Sequence, residues 1–384
     1  MTCNPTFAAL FLTAGPQMQC GVGQFTLRLQ ETIERLNPGS TAALALTRTE
    51  GSLAEIWRAV GSVQNVVCNF PVVAWKRVIL APLLALAIAK LRGRCIILVQ
   101  HEWAGLHWLR RLTYLPALWL ADRIVMVSPL VRRELAADPL AGATACKVAF
   151  APLPPNIEAP AGVANSELRQ RLAEARQAGR LVIGHFGSIY AGKQPNELLD
   201  IAARLAERGL KPLVVYIGSF IRSMDRVEEK FYAHAAELGI SDDVIVSGFV
   251  GSDHEIFGLF NEVDAFCYPL DEGLTARRSS VLTCVQSGKP VIVTGPAEAD
   301  EFNHHPRFKD LIGRGAVVLV PRGASAETYA DAIEAARDRT SARLLFNFDG
   351  WWRDAADAVR ATFALRRASE SVRDSACRTR QQET

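Results

Sequence analysis

The sequence lacks the features that identify several common classes of protein. Its eight cysteines are scattered, with no CxxC pair and no histidine at metal-ligand spacing, so we interpret them as reduced residues packed as small hydrophobic side chains. The metal-binding patterns DxD and HExxH and the hydrolase pattern GxSxG do not occur, and no metal site is predicted. The 43 Lys and Arg residues nearly balance the 40 Asp and Glu residues, which argues against a dedicated nucleic-acid-binding protein.

Long apolar runs are also missing. The longest, Val78–Ala89, contains Pro82 and ends at Lys90, well short of the about 20 residues that span a bilayer. The N-terminus has no basic region ahead of an apolar stretch, so no signal peptide is predicted and we expect a cytoplasmic protein. Basic residues flank the run and permit contact with an anionic membrane surface, although a buried helix with basic ends explains the pattern equally well. These residues are Lys76, Arg77, Lys90, Arg92 and Arg94.

Charge is distributed unevenly along the chain. Residues 1–150 carry 15 Lys and Arg against 8 Asp and Glu, a net charge of +7. Residues 151–384 carry 28 against 32, a net charge of −4. This asymmetry indicates that the first half faces an anionic group such as a phosphate or a membrane surface.

Hydrophobic patterning predicts an α/β fold. At about 150 residues per domain, the 384 residues correspond to two or three domains. Short apolar runs such as Phe7–Thr13 alternate with longer segments of helical spacing such as Gln24–Leu36, and the alternation restarts after a Pro-rich stretch at residues 151–165. Such alternation is typical of parallel sheets with helices on both faces. We therefore predict two Rossmann-like, doubly wound domains over residues 1–160 and 166–345, with a ligand in the cleft between them.

Two glycine-containing segments follow predicted strands. Gly21-Val-Gly23 opens the first helix, where glycines let a ligand approach the backbone and the unpaired N–H groups of the helix. An ordinary tight turn accounts for this segment equally well. The second segment runs from a strand through Gly187 and Ser188 to Lys193, whose ammonium is suited to a phosphate.

Two further segments carry polar groups at the same kind of position. His101 follows the apolar strand Cys95–Gln100, at the strand end where open parallel sheets bind ligands, although a histidine bonded to a backbone carbonyl is the alternative. Residues 268–280 are the richest, because carboxylates, two guanidiniums and two hydroxyls precede a helix there. Guanidiniums make bidentate contacts to phosphate, whereas a charged surface loop that caps the helix is the alternative. The groups belong to Asp271, Glu272, Arg277, Arg278, Ser279 and Ser280.

In order and spacing, these segments resemble the retaining glycosyltransferases of family four (glycosyl transferases group 1), which have the GT-B fold of two facing Rossmann-like domains. The resemblance covers most of the chain. The matching segments are Gly21-Val-Gly23, His101, residues 122–128, Gly187 with Lys193, residues 246–250, residues 257–264 leading into Tyr268 and Glu272-Gly273, and residues 288–294. Residues 348–352 are similar to the segment before the family's last helix, so residues 346–366 are predicted to cross back to the first domain. The Ser-, Arg- and Glu-rich residues 367–384 are predicted to be disordered.

The resemblance implies roles for individual residues. Glu272 matches the first glutamate of the family's EX7E motif, which contacts hydroxyls of the donor sugar. Lys193 matches the lysine that binds the donor diphosphate, and His101 matches the histidine near the transferred hexose. These three residues are the predicted catalytic set.

The resemblance also places the rest of the donor. Gly21 and Gly23 correspond to the glycine loop close to the phosphates and the acceptor. Residues 246–250 correspond to the region that holds the base, and we assign nucleoside binding to Phe249 and Val250.

The sequence departs from the family pattern at two positions. Ser188 stands where an arginine usually follows the glycine. The second glutamate of the motif, which normally holds the ribose, is replaced by Thr283, and the loop before it is a few residues longer. Arg277 and Arg278 lie in that extra length. Our hypothesis is that they replace the missing diphosphate arginine and leave the ribose to Thr283, Ser280 or the backbone.

The resemblance implies a retaining enzyme that moves a hexose, with mannose favoured, from a nucleoside diphosphate sugar to a glycan or lipid-linked acceptor in polysaccharide or glycoconjugate assembly. No metal or cofactor is expected, because cationic side chains would stabilise the leaving diphosphate. A non-catalytic sugar-nucleotide-binding or scaffold protein is one alternative, since it would tolerate both departures. A nicotinamide-dependent oxidoreductase fits the strand–helix pattern but lacks the dinucleotide fingerprint.

Overall fold

A computed structural model of the protein describes residues 7–15, 20–47, 49–221, 226–337 and 346–364. They form two compact units, of which one runs to Ala151 and resumes at Trp352 and the other spans Pro152–Trp351. In the described part of each unit, helices flank a six-stranded parallel sheet, so the predicted α/β class with two doubly wound sheets is confirmed. The tail predicted to be disordered, residues 367–384, lies outside the described residues.

Strands and helices alternate along the first unit. Its strands are β1 (Phe7–Thr13), β2 (Thr41–Ala45), β3 (Val63–Phe70), β4 (Cys95–Gln100), β5 (Arg123–Met126) and β6 (Val148–Phe150). Its helices are α1 (Gly21–Leu36), α2 (Leu53–Gly61), α3 (Leu80–Leu91), α4 (Trp108–Leu120) and α5 (Pro129–Ala136). The sheet order is β2-β1-β3-β4-β5-β6, and every neighbouring pair is parallel. The carboxyl ends of the strands therefore share one edge of the sheet.

The second unit repeats this arrangement. Its strands are β7 (Leu181–Phe186), β8 (Pro212–Ile217), β9 (Val244–Val246), β10 (Ala265–Tyr268), β11 (Val291–Thr294) and β12 (Val317–Val320). Its helices are α6 (Glu167–Gln177), α7 (Pro195–Glu207), α8 (Val227–Glu237), α9 (Asp253–Asn261), α10 (Ser279–Val285), α11 (Pro306–Gly313) and α12 (Ala326–Arg337). The strand order is β12-β11-β10-β7-β8-β9, again parallel throughout, so β7 and β10 are central neighbours. A last helix, α13 (Phe348–Arg360), contains the boundary between the two units.

The central strands are buried on both faces. Ile96, Leu98 and Val99 of β4 are fully buried, as are Ile183 of β7 and Phe266 of β10. A strand covered on both faces by helices reads as a continuous apolar run, because both sets of side chains lie in a core. Each buried aliphatic side chain contributes about 1.5–3 kcal/mol, so these runs fix the sheets and the edges from which the loops emerge.

The longest apolar run of the sequence forms helix α3. Ala85, Leu86 and Ala89 are buried against the first unit, whereas Leu80 and Leu84 are exposed. The inward face therefore fits the prediction of a buried helix with basic ends. In the part of the chain that the structure describes, no helix combines the length and apolarity needed to cross a membrane.

Several element boundaries differ from the sequence prediction. β1 has the predicted bounds, but α1 begins at Gly21 rather than at Gln24, so both glycines of the predicted loop lie in the first helical turn. Helix α13 begins at Phe348, so residues 348–352 are its first turn and do not precede it. Glycine has a low intrinsic helix propensity, and tertiary packing overrides it in both places.

In each sheet, an aspartate just before one strand accepts a hydrogen bond from the backbone of the neighbouring strand. Asp122 precedes β5, and its Oδ2 accepts the backbone N–H of Ile96 on the neighbouring strand at 2.9 Å. Asp264 precedes β10, and its Oδ2 accepts the N–H of Val182 on β7 at 2.9 Å. Its Oδ1 accepts a hydrogen bond from Arg176 Nε at 3.0 Å. Asp264 therefore ties together the two strands that carry the richest loops of the second unit.

We expect Asp264→Ala to destabilise the second unit by about 2 kcal/mol, because hydrogen bonds to a charged carboxylate are worth about 1.5–3 kcal/mol each and one partner is a buried strand N–H. Urea unfolding followed by intrinsic fluorescence measures this change. Asp242→Ala, which removes an exposed aspartate of the same unit, is the matched control. Equal unfolding midpoints for the two variants would contradict the assigned role of Asp264.

Candidate functional site

Two loops of the second unit leave neighbouring strands at the same edge of the sheet. One follows β7 and turns at Gly187, with φ of 112°, and the other follows β10 and turns at Gly273, with φ of 76°. A Cβ on Gly273 would lie 2.2 Å from the carbonyl oxygen of Gly295, so no other residue fits there without moving the backbone. Ligands of open parallel sheets bind at this edge.

The loop after β10 brings one carboxylate against two guanidiniums. Arg277 Nη2 donates to Glu272 Oε2 at 2.7 Å, and Arg278 Nη2 pairs with Oε1 of the same carboxylate. Arg278 Nη1 also donates to the hydroxyl of Tyr190 at 2.9 Å, which links this loop to the loop after β7. Both arginine side chains are mostly buried, with 17% and 14% of their surface exposed.

Buried hydrogen bonds hold the loop after β10 in place. The backbone N–H of Ala276 donates to Glu301 Oε1 at 2.9 Å, and that of Leu270 donates to Thr294 Oγ1 at 2.7 Å. Glu301 and Thr294 are 2% and 4% exposed. Because both acceptors are buried, the positions of Arg277 and Arg278 are set by the core and not by solvent-exposed contacts.

Lys193 is buried in the loop after β7. It ends a short 3-10 helix, Ala191–Lys193, and only 7% of its surface is exposed. A Cβ on Gly187 would lie 2.9 Å from Lys193 Nζ and 3.8 Å from Ser280 Cβ, so the ammonium packs directly on the glycine backbone. Burial, together with the nearby charge of Arg278, lowers the pKa of Lys193 from 10.5 to about 7.

The cluster carries more positive than negative charge. Arg277 and Arg278 are cations paired with the carboxylate of Glu272, and Lys193, with a pKa of about 7, adds a third positive charge when it is protonated. Among the described residues, the buried Nε atoms of Arg277 and Arg278 have no hydrogen-bond partner. A buried cation without a counter-ion is unfavourable, so this arrangement is suited to an anion with several oxygens.

His185 extends the cluster into the core. Its Nδ1 lies 3.2 Å from the carbonyl oxygen of Cys267, and its Nε2 has no partner among the described residues. Burial and the neighbouring charge of Lys193 hold the pKa of His185 well below 6.5, so the ring is neutral at pH 7. It therefore adds no charge beside Lys193 and Arg278.

In the first unit, His101 follows β4 and is nearly buried. One ring nitrogen, Nε2, lies 3.2 Å from Oδ1 of Asn69, and the ring of Phe25 meets it edge-on at 4.9 Å. Burial lowers the pKa of His101 to about 4. The ring is therefore neutral at pH 7 and suited to hydrogen bonding rather than to strong proton abstraction. Gly21 and Gly23 lie in the first turn of α1 in the same unit.

The remaining predicted site residues have varied surroundings. Ser188 follows Gly187, and Ser279 and Ser280 begin α10. The hydroxyl of Thr283, 2% exposed, donates to the carbonyl oxygen of Ser279 at 3.1 Å, so it is already bonded inside its own helix. The ring of Phe249 is 71% exposed, whereas Val250 packs against the core of the second unit.

The structure thus brings Glu272, Arg277, Arg278 and Lys193 into one cluster of the second unit. Sequence reasoning missed Tyr190, although it belongs to the segment singled out before Lys193. It also missed Asn69, which lies near the carboxyl end of β3. A polar residue near the end of an apolar strand is the signal that could have identified Asn69.

Comparison with known proteins relates the fold to solved structures. No family model matches the sequence, and the comparison with curated proteins gives no match either. Anabaena HepE in complex with UDP aligns with a TM-score of 0.58 and 14% identity over 97% of this chain and 100% of HepE.

Two further solved structures are similar over nearly their whole length. Sucrose-phosphate synthase of Thermosynechococcus elongatus aligns with a TM-score of 0.55 and 14% identity, over 98% of this chain and 99% of that one. A glycosyltransferase of Rickettsia africae aligns with a TM-score of 0.54 and 14% identity, over 94% and 95%. At this identity the likeness shows the fold, which is the GT-B fold of glycosyltransferases.

The geometry predicts how Lys193 responds to its neighbours. In Arg278→Gln the pKa of Lys193 should rise from about 7 toward its ordinary 10.5, because removal of a like charge favours the protonated amine. Carbon-13 NMR titration of labelled lysines measures this, with the Lys193 signal assigned by its loss in Lys193→Met. Lys289, whose pKa burial and Arg176 lower elsewhere in the unit, is the internal control. A Lys193 titration that stays unchanged would refute the proximity of the two cations.

Proposed function

We propose that this protein is a retaining glycosyltransferase of family four that transfers a hexose, with mannose favoured, from a nucleoside diphosphate sugar. One observation carries the proposal: Lys193, Arg277 and Arg278 form a buried cationic cluster, at the edge of a doubly wound sheet, whose charge Glu272 balances only in part. A diphosphate has the charge and the number of oxygens to complete it.

The solved relatives support a nucleotide-sugar donor. HepE is described in complex with UDP and glucose, with a TM-score of 0.56 and 16% identity, and in complex with UDP-glucose, with a TM-score of 0.54 and 16% identity. The fold shared with these structures suggests the same class of donor for this chain. We keep the proposal that Phe249 and Val250 contact the nucleoside, with Gly21, Gly23, Ser188, Ser279 and Ser280 near the phosphates.

The proposed chemistry is stabilisation of a leaving diphosphate. Cleavage of the sugar–phosphate bond puts negative charge on the departing oxygen, and preorganised cations in a poorly solvated site stabilise that charge strongly. Lys193, Arg277 and Arg278 are such cations, so we propose that transfer needs no metal ion. We further propose a front-face route, in which the acceptor oxygen bonds to the anomeric carbon on the face that the phosphate leaves. The departing phosphate accepts the proton of the acceptor hydroxyl, and the anomeric configuration is retained.

The pairing of Glu272 suggests how donor binding prepares the site. Its carboxylate is held by Arg277 and Arg278, and a diphosphate competes for the same guanidinium protons. We propose that the donor takes over these contacts and frees Glu272 to accept hydrogen bonds from the sugar hydroxyls. His101, neutral at pH 7, is proposed as a hydrogen-bonding partner of the transferred hexose.

Other parts of the assignment rest on the resemblance alone. We propose a glycan or lipid-linked saccharide as the acceptor and a cytoplasmic protein that works at the inner face of a membrane. Thr283 is a weak candidate for holding the ribose, since its hydroxyl is buried and bonded to Ser279. We therefore propose that Ser280 or backbone groups hold the ribose instead.

A second function is favoured by one specific observation. Both oxygens of Glu272 are occupied by arginines, so the cluster is also compatible with a non-catalytic protein that binds nucleotide sugars. Such a protein would bind the donor with the same cations and would leave Glu272 as a structural ion pair. Donor turnover separates the two functions.

We expect Arg277→Ala and Arg278→Ala each to weaken donor binding about tenfold or more, because a hydrogen bond to a charged group is worth about 1.5–3 kcal/mol. The donor is first chosen by thermal stabilisation with UDP-, GDP- and ADP-sugars, since a ligand at 100 times its dissociation constant adds about 2.7 kcal/mol. Calorimetry then gives the affinities. Arg322→Ala, an exposed arginine of the same unit, is the control, and unchanged affinity in both variants would exclude the diphosphate role.

We expect Glu272→Gln to lower donor hydrolysis or transfer at least about a hundredfold while donor affinity changes much less, since the carboxylate acts on the sugar and not on the phosphates. Wild-type turnover should persist in EDTA. No turnover in either protein, together with intact donor binding, identifies the non-catalytic alternative. A strict requirement for Mg²⁺ or Mn²⁺ would overturn the metal-free mechanism.

A further inference from the structure

Helix α4 of the first unit has apolar side chains on both of its faces. Trp108, Leu112 and Trp119 are 57%, 43% and 54% exposed, and their spacing places them along one side of the helix. The opposite side packs on the core of the unit. The buried residues are Tyr114, Leu115, Ala117 and Leu118. A helix that is apolar on both sides normally has a partner on both, and here only one side has one within the described chain.

The exposed apolar surface continues beyond the helix. Leu109 is 52% exposed and Leu140, in the segment after α5, is 54% exposed. Trp119 Nε1 donates to the carbonyl oxygen of Leu140 at 3.2 Å, which fixes this segment beside the end of the helix. A mainly apolar cavity of about 370 Å³ lies between Trp108 and Leu140 and is also lined by Arg111 and Asp138. We call the five exposed residues Trp108, Leu109, Leu112, Trp119 and Leu140 the α4 surface.

Cationic groups without carboxylate partners lie near both ends of helix α4, Lys147 close to Trp119 and Arg110 on the side of the helix away from Trp108. Arg110 donates to the hydroxyl of Tyr114 at 3.0 Å, and Lys147 donates to the carbonyl oxygen of Ala121 at 2.7 Å. Within the described residues, neither has a carboxylate within ion-pair distance, whereas Arg111 lies 3.7 Å from Asp138. These two positive charges therefore remain available to an external anion.

A second cavity, of about 510 Å³, lies on the other side of the helix. Its lining includes Lys76, His107, Arg110 and the one carboxylate of Glu102, and it opens beside the exposed Leu109. Polar, mainly basic groups next to the apolar α4 surface suit an amphiphile with an anionic head group. The head group would contact the basic groups, and the hydrocarbon would contact the α4 surface.

We infer that the α4 surface docks on an anionic phospholipid bilayer. Two exposed tryptophans suit the membrane–water interface, where the ring is half in hydrocarbon and the indole N–H remains hydrogen-bonded. Uncompensated Lys and Arg side chains are attracted to anionic head groups by about 1 kcal/mol each near the surface. The 13 residues of α4 form a helix about 20 Å long, enough to lie in the interface plane.

The inference deepens the membrane location given under the proposed function, but none of these residues belongs to the proposed donor site, so its failure would leave donor binding and transfer unchanged. Binding of the whole protein to sedimented vesicles tests it. We expect binding to vesicles of equal parts phosphatidylcholine and phosphatidylglycerol and much weaker binding to phosphatidylcholine alone. Trp108→Ser with Leu112→Ser should weaken it about tenfold or more, since two large apolar side chains no longer leave water. Lys76→Gln with Lys147→Gln should weaken it and reduce its sensitivity to salt.

Trp57→Ser is the matched control. Trp57 is 51% exposed in the same unit, but it lies on α2, which packs on α3, and the guanidinium of Arg92 covers its ring at 4.5 Å. This variant should bind vesicles like the wild type. Equal loss in the control, or no vesicle binding by the wild-type protein, would overturn the inference. So would a concentration-dependent dimer that the Trp108 and Leu112 substitutions dissociate, since the α4 surface would then belong to a second copy.

Discussion

The candidate site depends on the way one carboxylate, Glu272, shares two adjacent guanidiniums in a poorly solvated loop. One carboxylate balances only one of the two guanidinium charges, so the cluster keeps an excess of positive charge. Lys193 is buried close enough to Arg278 for that charge to lower its pKa further. Desolvation penalises the ammonium so strongly that its pKa falls to about 7. An incoming polyanion would relieve this cost, and for that reason the cluster is better suited to binding phosphate than to stabilising the fold.

The position of this cluster is a consequence of the sheet. β7 and β10 are neighbours in space although their sequences lie far apart, and Asp264 bonds the start of one to the start of the other. Their carboxyl ends therefore project two loops side by side. Each loop turns at a glycine, and the loop after β10 is anchored by the buried acceptors Glu301 and Thr294. The binding groups are thus held by a packed core, which keeps them ordered before a ligand arrives.

The two units carry different kinds of surface. The second concentrates its unbalanced charge in a buried loop cluster, where few water molecules screen it. The first has a helix face that shows tryptophan and leucine to solvent, with Arg110 and Lys147 near the two ends of that helix. A small polyanion suits the former surface, and an extended anionic interface suits the latter.

Much of the fold follows from the sequence. Apolar runs such as Phe7–Thr13 and Cys95–Gln100 predict strands correctly, because a strand buried on both faces has to be apolar throughout. The four segments singled out as sites do follow strands β1, β4, β7 and β10, although Gly21 and Gly23 lie in the first turn of α1 and not in a loop. Helix α4 and strand β2 are among the elements that went unrecognised, since α4 contains Pro116 and has apolar residues on two faces and β2 is short and half-buried, so neither shows a clear period.

By itself, the sequence determined the alternation of strands and helices, the two doubly wound sheets and the loops that carry the polar groups, because hydrophobic periodicity and chain order are local properties. Only the tertiary structure decided that Glu272 pairs with both arginines, that Tyr190 joins them, that Thr283 is already hydrogen-bonded and that one face of α4 stays uncovered. Each of these depends on distances between segments remote in sequence, and those distances are set by strand order and core packing, which no local pattern encodes.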